Sequence, residues 1–388
     1  MIGPGMIGGD RLRLRPIEPR LAQKLALVHW PLVALLATLG LAGYAMLYSA
    51  GHGSHTPWAW RHGLRLAIFL PAMVLMALVD LRVYVRLSYL AYATALGLLL
   101  AVDAVGVISK GAQRWLDLGP LQIQPSELMK VALIAALARY FHTLRPEAVR
   151  RTLPLVPALA LIGLPVALVL VQPDLGTAAT LLISGTGMLF MAGVPWWKFL
   201  VVGGAGAAAL PVLWSRLHDY QRQRVLTFLD PEADPLGAGY HIIQSKIALG
   251  SGGFWGKGFL HGTQAQLSFL PEKQTDFAFT MLAEELGFVG AALILALFLA
   301  VLTLGLLIAV RAQSQYARLL AVGSVINLFT YVTINVAMVT GLIPVVGVPL
   351  PLISYGGTAM LTLVVSLGLL LCADVHRDLP LPRHLGPS

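Results

Sequence analysis

Apolar runs of about 17 residues or more recur along almost the whole chain, and each is long enough to cross a hydrocarbon core of roughly 30 Å as a helix. They fall near residues 25–49, 62–79, 88–107, 126–142, 154–171, 174–192, 198–214, 277–310, 319–340 and 355–373. In lipid every backbone amide and carbonyl needs an internal partner, so such runs are expected to be helical. The expected fold class is therefore an all-α polytopic membrane protein with about ten transmembrane helices. With 57% hydrophobic and 12% charged residues in a chain of 388, no stretch is left for a separate soluble domain. The expected organisation is a basic cytoplasmic segment at 1–24, one membrane domain at 25–375, and a cytoplasmic tail at 376–388.

The few charges fix an orientation. "RLRLRPIEPRLAQK" precedes the first run without a cleavage site, so that run is expected to be retained with its basic side in the cytoplasm. Ten spans then bring the C-terminal "VHRDLPLPRH" to the same side. The short loops "DLRVYVR", "HTLRPEAVRR", "VPWWK" and "RAQSQYAR" fall inside and carry Lys or Arg, as that orientation requires. The segment at about 215–275 falls outside as a large extracytoplasmic loop between the seventh and eighth spans. A net charge of +9 is accounted for by these flanks, which face anionic lipid headgroups, and it does not indicate nucleic acid. Cys372 is the only cysteine, which excludes an intrachain disulfide and a cysteine metal site.

On this topology four separated polar or Gly/Pro-rich stretches meet at the outer face: "KGAQRWLDLGPLQIQPSELMK", "QPDLG", the segment entering the eighth span, and "PVVGVPLPLISYGG". In the first, Pro125 suits a helix start and Glu127 complements the positive end of the helix dipole. Lys130 lies three residues further on, within pairing reach of Glu127. A charge at helix centre costs about 2.5–3.5 kcal/mol on insertion scales. Lys130 is thus either an anion-binding cation or a snorkelling or paired one. Lys130→Met is expected to lower turnover strongly and to leave folding intact or improved, since a buried charge is no longer inserted. Lys110, Arg114 and Trp115 read as membrane-edge residues. Pro173 opens a helix with Asp174 in its first turn, ordinarily a capping position. Ser354, Tyr355 and the paired glycines suit non-helical backbone lining a cavity.

Asp276, in "SFLPEKQTDFAFTMLAEELG", stands where a polar loop becomes an apolar helix of about 35 residues, roughly 50 Å long at 1.5 Å per residue. Asp276, Thr280 and Glu284 would then form one polar stripe running inward. An N-cap and a catalytic carboxylate both fit Asp276 on spacing alone. The run "GSGGFWGKGF" is not a phosphate-binding loop, because Ser251 stands where that pattern needs Gly and Gly258 where it needs Ser or Thr. A site on the outer face has no nucleotide supply, so synthesis there needs a substrate carrying its own leaving group. A lipid-linked diphosphate sugar meets that need, with cations for the diphosphate and a carboxylate to deprotonate the attacking hydroxyl.

"FLPEKQTDFAFTMLAEELG", "QPSELMKVALI", "QPDLGTA", "GTQAQLSFLPE" and "GLIPVVGVPLPLISYGG" together resemble the SEDS family of shape, elongation, division and sporulation proteins over roughly residues 25–375. "LAEELG" and "PVVGVPLPLISYGG" have the form of its elongation branch. The resemblance implies a peptidoglycan glycosyltransferase of the bacterial cytoplasmic membrane, polymerising lipid II into a growing glycan strand on the outer face. It also implies a class B penicillin-binding protein as transpeptidase partner within the elongation machinery. By it Asp276 matches the family's essential aspartate, as general base or as ligand of a divalent metal, Mg or Mn. Arg114, Glu127, Lys130 and Asp174 match positions in or near the central cavity. Lys257 and Ser354 complete the candidate substrate-binding residues. Gln274 departs from the family, where a His is common, so no imidazole is implied there. A lipid II flippase is the alternative, but it needs an inward-facing site and the inner loops have no counterpart to the outer motifs. A scaffold without activity has no use for Lys130 inside a span.

Overall fold

The computed structural model describes residues 20–109, 112–117, 122–216, 222, 226–230, 238–267, 269–270 and 272–383. The N-terminal segment through residue 19, the last five residues, Lys110 and Arg224 lie outside them. Among the described residues seven helices are long and apolar enough to cross a membrane: Trp30–Ala50, Ala59–Leu78, Leu81–Ala104, Leu153–Val171, Ala278–Arg311, Gln315–Val339 and Gly357–Val375. The other three expected runs are also helical, as Pro125–Thr143, Leu175–Met191 and Trp196–Arg216. "DLRVYVR" is not a loop. Asp80 accepts the Arg82 N–H at 2.7 Å and caps a helix that begins at Leu81.

Burial sorts the helices into a centre and a periphery. Gln315–Val339 and Gly357–Val375 are 78% and 83% buried over their apolar stretches, against 22–44% for the other spanning candidates. Pro125–Thr143 is buried nearly all round and packs against Gln315–Val339, Leu175–Met191 and Leu81–Val105. A helix apolar on every side is a core helix. Glu127 and Lys130 are therefore carried on one of the innermost elements.

Two expectations are corrected. The fold is mostly helical but not all-α, because the described residues between 107 and 123 include a small antiparallel sheet, Val107–Ser109 with Ala112–Asp117 and Ala112–Asp117 with Gln122–Ile123. A polar crossing too short for a helix meets its backbone hydrogen bonds by strand pairing instead. The helix after Asp276 is not one straight rod of 50 Å. It breaks at Gly287, which has φ 67° and ψ −165°, a conformation essentially restricted to glycine. Residues 288–311 alone span roughly 36 Å, enough for one crossing.

The break is closed by the glycine-rich run rejected above as a phosphate loop. Phe288 N–H donates to Gly253 O at 2.9 Å and Val289 N–H to Phe254 O at 3.2 Å, while Lys257 and Gly258 N–H reach back to Glu284 O and Glu285 O. The backbones approach so closely that a Cβ on Gly287 would stand 2.3 Å from Gly256 N. Gly287→Ala is expected to lower stability by about 1–3 kcal/mol from backbone conformation alone, and by more once Gly256 is pushed away. Thermal unfolding in detergent checks this. Gly250→Ala is the control: that glycine is helical, has open space around its Cβ position, and should be neutral or slightly stabilising.

Candidate active site

The polar stretches do come together at one end of the bundle. Asn335, fully buried on Gln315–Val339, donates from Nδ2 to Asp276 O at 2.9 Å and to Val348 O at 2.7 Å. Tyr355 N–H donates to Gln274 O at 2.7 Å, so the "SYGG" segment is tied to the turn that carries Asp276. Gly347 faces the carboxylate, and a Cβ there would lie 3.5 Å from Asp276 Oδ2. The Val346 carbonyl rests on Gly176, where a Cβ would be 2.7 Å away, which joins the same loop to the helix that follows Asp174. Asp276 itself is half-buried. The N-cap of its helix is Phe277, without a side-chain cap bond, so Asp276 does not occupy the capping position.

One turn along from Asn335 on the same helix, Tyr331 completes a buried triad. Lys130 Nζ lies 2.7 Å from Glu127 Oε1 and donates to the Tyr331 hydroxyl at 2.6 Å, and that hydroxyl donates to Glu127 Oε2 in a very short contact. Lys130, Glu127 and Tyr331 are 1%, 5% and 2% exposed. Lys130 is a paired cation, and this reverses the expected effect of removing it. Lys130→Met leaves Glu127 buried without its counter-ion.

The other candidates are placed with partners of their own. Asp174 is the N-cap of Leu175–Met191 and not a first-turn residue: it accepts Thr177 N–H at 3.1 Å and the Thr177 hydroxyl at 2.9 Å. Arg114 donates to Pro173 O at 2.6 Å and lies 3.6 Å from Asp174, so it holds the 172–174 turn from the small sheet. Lys257 pairs with Glu284 at 2.7 Å and donates to the Thr263 hydroxyl, away from the Lys130 triad in sequence and partners. Ser354 accepts Leu350 N–H at 2.9 Å and closes its own turn. The expected inward stripe holds the preceding segment instead: Thr280 bonds Ser245, and Glu284 accepts from Gln264 and Ala265 N–H.

Four contributors were not identified from sequence. Tyr331 and Asn335 are polar residues four apart inside an apolar span, a signal that marks functional positions in membrane helices. Arg65 lies over the Tyr355 ring, 4.7 Å from its centroid, with Nη2 3.4 Å from the hydroxyl. Lys273, three residues before Asp276, donates to Ala265 O and approaches His52; burial pushes its ammonium below the ordinary lysine range, against the pull of Glu285.

A half-buried carboxylate presented by non-helical backbone beside a buried ionic triad, in a bundle of membrane-length helices, defines a polytopic membrane protein with an internal polar site. Residues 23–379 match the family model of FtsW, RodA and SpoVE, described as cell cycle proteins, and the chain belongs to that family. It is 48% identical over 355 residues to the peptidoglycan glycosyltransferase MrdB of Escherichia coli strain K12, covering 91% of this chain and 95% of that one. It is 35% identical over 367 residues to a probable peptidoglycan glycosyltransferase FtsW of Idiomarina loihiensis, covering 91% and 89%. The crystal structure of the rod shape determining protein RodA of Thermus thermophilus superposes with a TM-score of 0.67 at 29% identity, covering 90% of this chain and 97% of that one. A chain from a peptidoglycan synthase complex that coordinates polymerization and crosslinking gives 0.78 at 35% identity, covering 91% and 99%.

The triad sets a stability prediction. Lys130→Met and Glu127→Gln singly should each destabilise by about 3–5 kcal/mol, because one buried charge is left uncompensated. The double variant should recover much of that loss. Thermal midpoints of the three proteins in one detergent test the coupling, and additive losses would contradict it.

Proposed function

We propose that this chain is a peptidoglycan glycosyltransferase of the bacterial cytoplasmic membrane. It joins lipid II into glycan strands at the outer face during elongation and releases undecaprenyl diphosphate. The observation that carries the reading is the presentation of Asp276: a carboxylate held half-buried by backbone from 272–277 and 347–355, at the end of the bundle where the family motifs converge. In this reading it takes the proton from the acceptor sugar's C4 hydroxyl as that oxygen attacks the donor's anomeric carbon. The bond to the lipid diphosphate breaks on the opposite side. The Glu127–Lys130–Tyr331 triad, closed on itself, supplies oriented buried dipoles near the developing anion.

The proposed topology has ten spans with both termini cytoplasmic. Pro125–Thr143, Leu175–Met191 and Trp196–Arg216 join the seven apolar helices, and the segment at about 215–275 lies outside. The basic short loops support it. A divalent ion, Mg or Mn, would find Asp276 as a single protein carboxylate. Among the described residues no group of three or more His, Cys, Asp or Glu side chains forms a metal site, so diphosphate oxygens would have to complete the shell, as is common for Mg²⁺. No step above is routed through it. A class B penicillin-binding protein is the proposed transpeptidase partner. The similarity to a chain of a synthase complex supports that pairing.

Two measurements test the reading. Purified wild-type protein should convert fluorescent lipid II to polymer in detergent without ATP or an ion gradient, and Asp276→Asn should abolish this while unfolding at a near-normal temperature. Polymerisation by a well-folded Asp276→Asn protein would remove the catalytic assignment. Translocation of lipid II in sealed vesicles, with no polymer under any lipid or metal condition, would establish the flippase in its place.

A further inference from the structure

We infer that Asn335 is a positioning residue for glycosyl transfer, fixing the Asp276 backbone against the Val348 segment so that the carboxylate meets the acceptor hydroxyl in one geometry. The inference rests on the reading of Asp276 above and extends it to a residue on a different helix.

The geometry is specific. The Asn335 amide has two N–H groups, and its Nδ2 is 2.9 Å from Asp276 O and 2.7 Å from Val348 O. Both neighbours are carbonyl acceptors, so the opposite amide orientation would set Oδ1 against two oxygens. The surroundings dictate which end points where. Asn335 is 0% exposed, and an amide buried near the C-terminal end of Gln315–Val339 carries a desolvation cost that a leucine would not. Its Oδ1 has no hydrogen-bond partner in the structure, so the side chain is not there to satisfy itself. What it does is bridge two stretches of irregular backbone, 272–277 and 343–356, that make no helix of their own.

Those two stretches carry the site between them. The Val348 carbonyl is one residue from Gly347, whose Cα faces Asp276 Oδ2. A second tie, Tyr355 N–H to Gln274 O at 2.7 Å, sits at the other end of the same pair of segments. Asn335 therefore sets the separation on the side nearer the carboxylate, and Tyr355 sets it on the far side. Its helix also carries Tyr331 one turn away, so any tilt of Asn335 is registered in the Glu127–Lys130 pair. Misplacing a general base by about 1 Å costs up to roughly 100-fold in rate.

The test uses full-length protein with two substitutions. Asn335→Leu removes both donors at similar volume. Asn335→Asp keeps the shape but offers at most one donor, and only when protonated. For each, turnover at saturating lipid II and KM are measured on monodisperse protein, together with the thermal midpoint and the pH profile from 6 to 8. The expected result is a fall in kcat of roughly 10- to 100-fold in both, with KM for lipid II within about twofold of wild type. The ratio of Asn335→Asp to wild-type turnover should also rise as the pH falls, while that of Asn335→Leu stays flat. Unchanged kcat in either folded variant overturns the inference, as does an activity loss equal to the fraction of unfolded protein. Should Asn335→Leu fail to fold, Asn335→Asp decides alone by the same criteria. Asp276→Asn run alongside separates the two levels. Its retention of activity defeats the Asp276 reading itself, whereas an inactive Asp276→Asn with fully active Asn335 variants defeats only the positioning role.

Discussion

In a membrane interior a polar group has no water to fall back on, and the whole site depends on how that constraint is met. Irregular backbone is tolerated there only if other protein groups satisfy it. The break at Gly287 is matched by backbone groups of residues 253–258, and the 343–356 stretch is held by Asn335, by Ser354 and by its contact with Gly176. The residues that do this are not ornaments around the site. They permit a non-helical segment to exist beside Asp276 at all.

The same constraint applies to charge. Glu127 and Lys130 on the innermost helix would each be prohibitive alone, yet together with Tyr331 they form a closed set with no net charge. Arg114 with Asp174 and Lys257 with Glu284 repeat the arrangement further out, each joining a loop to a helix start or break. The ion pairs thus act as fasteners between elements distant in sequence. Their geometry fixes where loops sit, which apolar contacts in a lipid-facing bundle do poorly, since lipid tails compete equally well for apolar surface.

Much of this was legible in the sequence, and the boundary is instructive. Among the described residues, apolar run length located the seven helices long and apolar enough to cross a bilayer, because a crossing imposes a length that no tertiary contact can change. The Glu127–Lys130 pair was legible from its i, i+3 spacing, and the capping chemistry of Asp174 from its position after Pro173. What could not be read was the partner across space. Gly287 sits in an unbroken apolar helical pattern, and its break is set by Gly256, 31 residues earlier in the chain. The third member of the triad and the clamp on Asp276 both come from the span 319–340, whose apolar composition hid Tyr331 and Asn335. "AQRWLD" has no apolar–polar alternation, so its strand pairing with Val107–Ser109 and Gln122–Ile123 had no periodic signal in the sequence.

The same constraints bear on the role proposed for Asp276. Of the carboxylates that converge on this end of the bundle, Glu127, Asp174, Glu284 and Glu285 are all at most 5% exposed and each is engaged in holding structure. For Glu127, Asp174 and Glu284, accepting a proton would weaken the contact that places the side chain and leave Lys130, Arg114 or Lys257 without its counter-ion. Asp276 is half-buried, as Glu272 in the same turn is, and its main-chain carbonyl accepts from Asn335. The grip of Asn335 on that carbonyl does not depend on the protonation state of the side chain. In the proposed mechanism, positioning and proton transfer fall to different atoms of the same residue. Under the proposed role, a change of charge on the carboxylate leaves the Asn335 contact to the main chain in place.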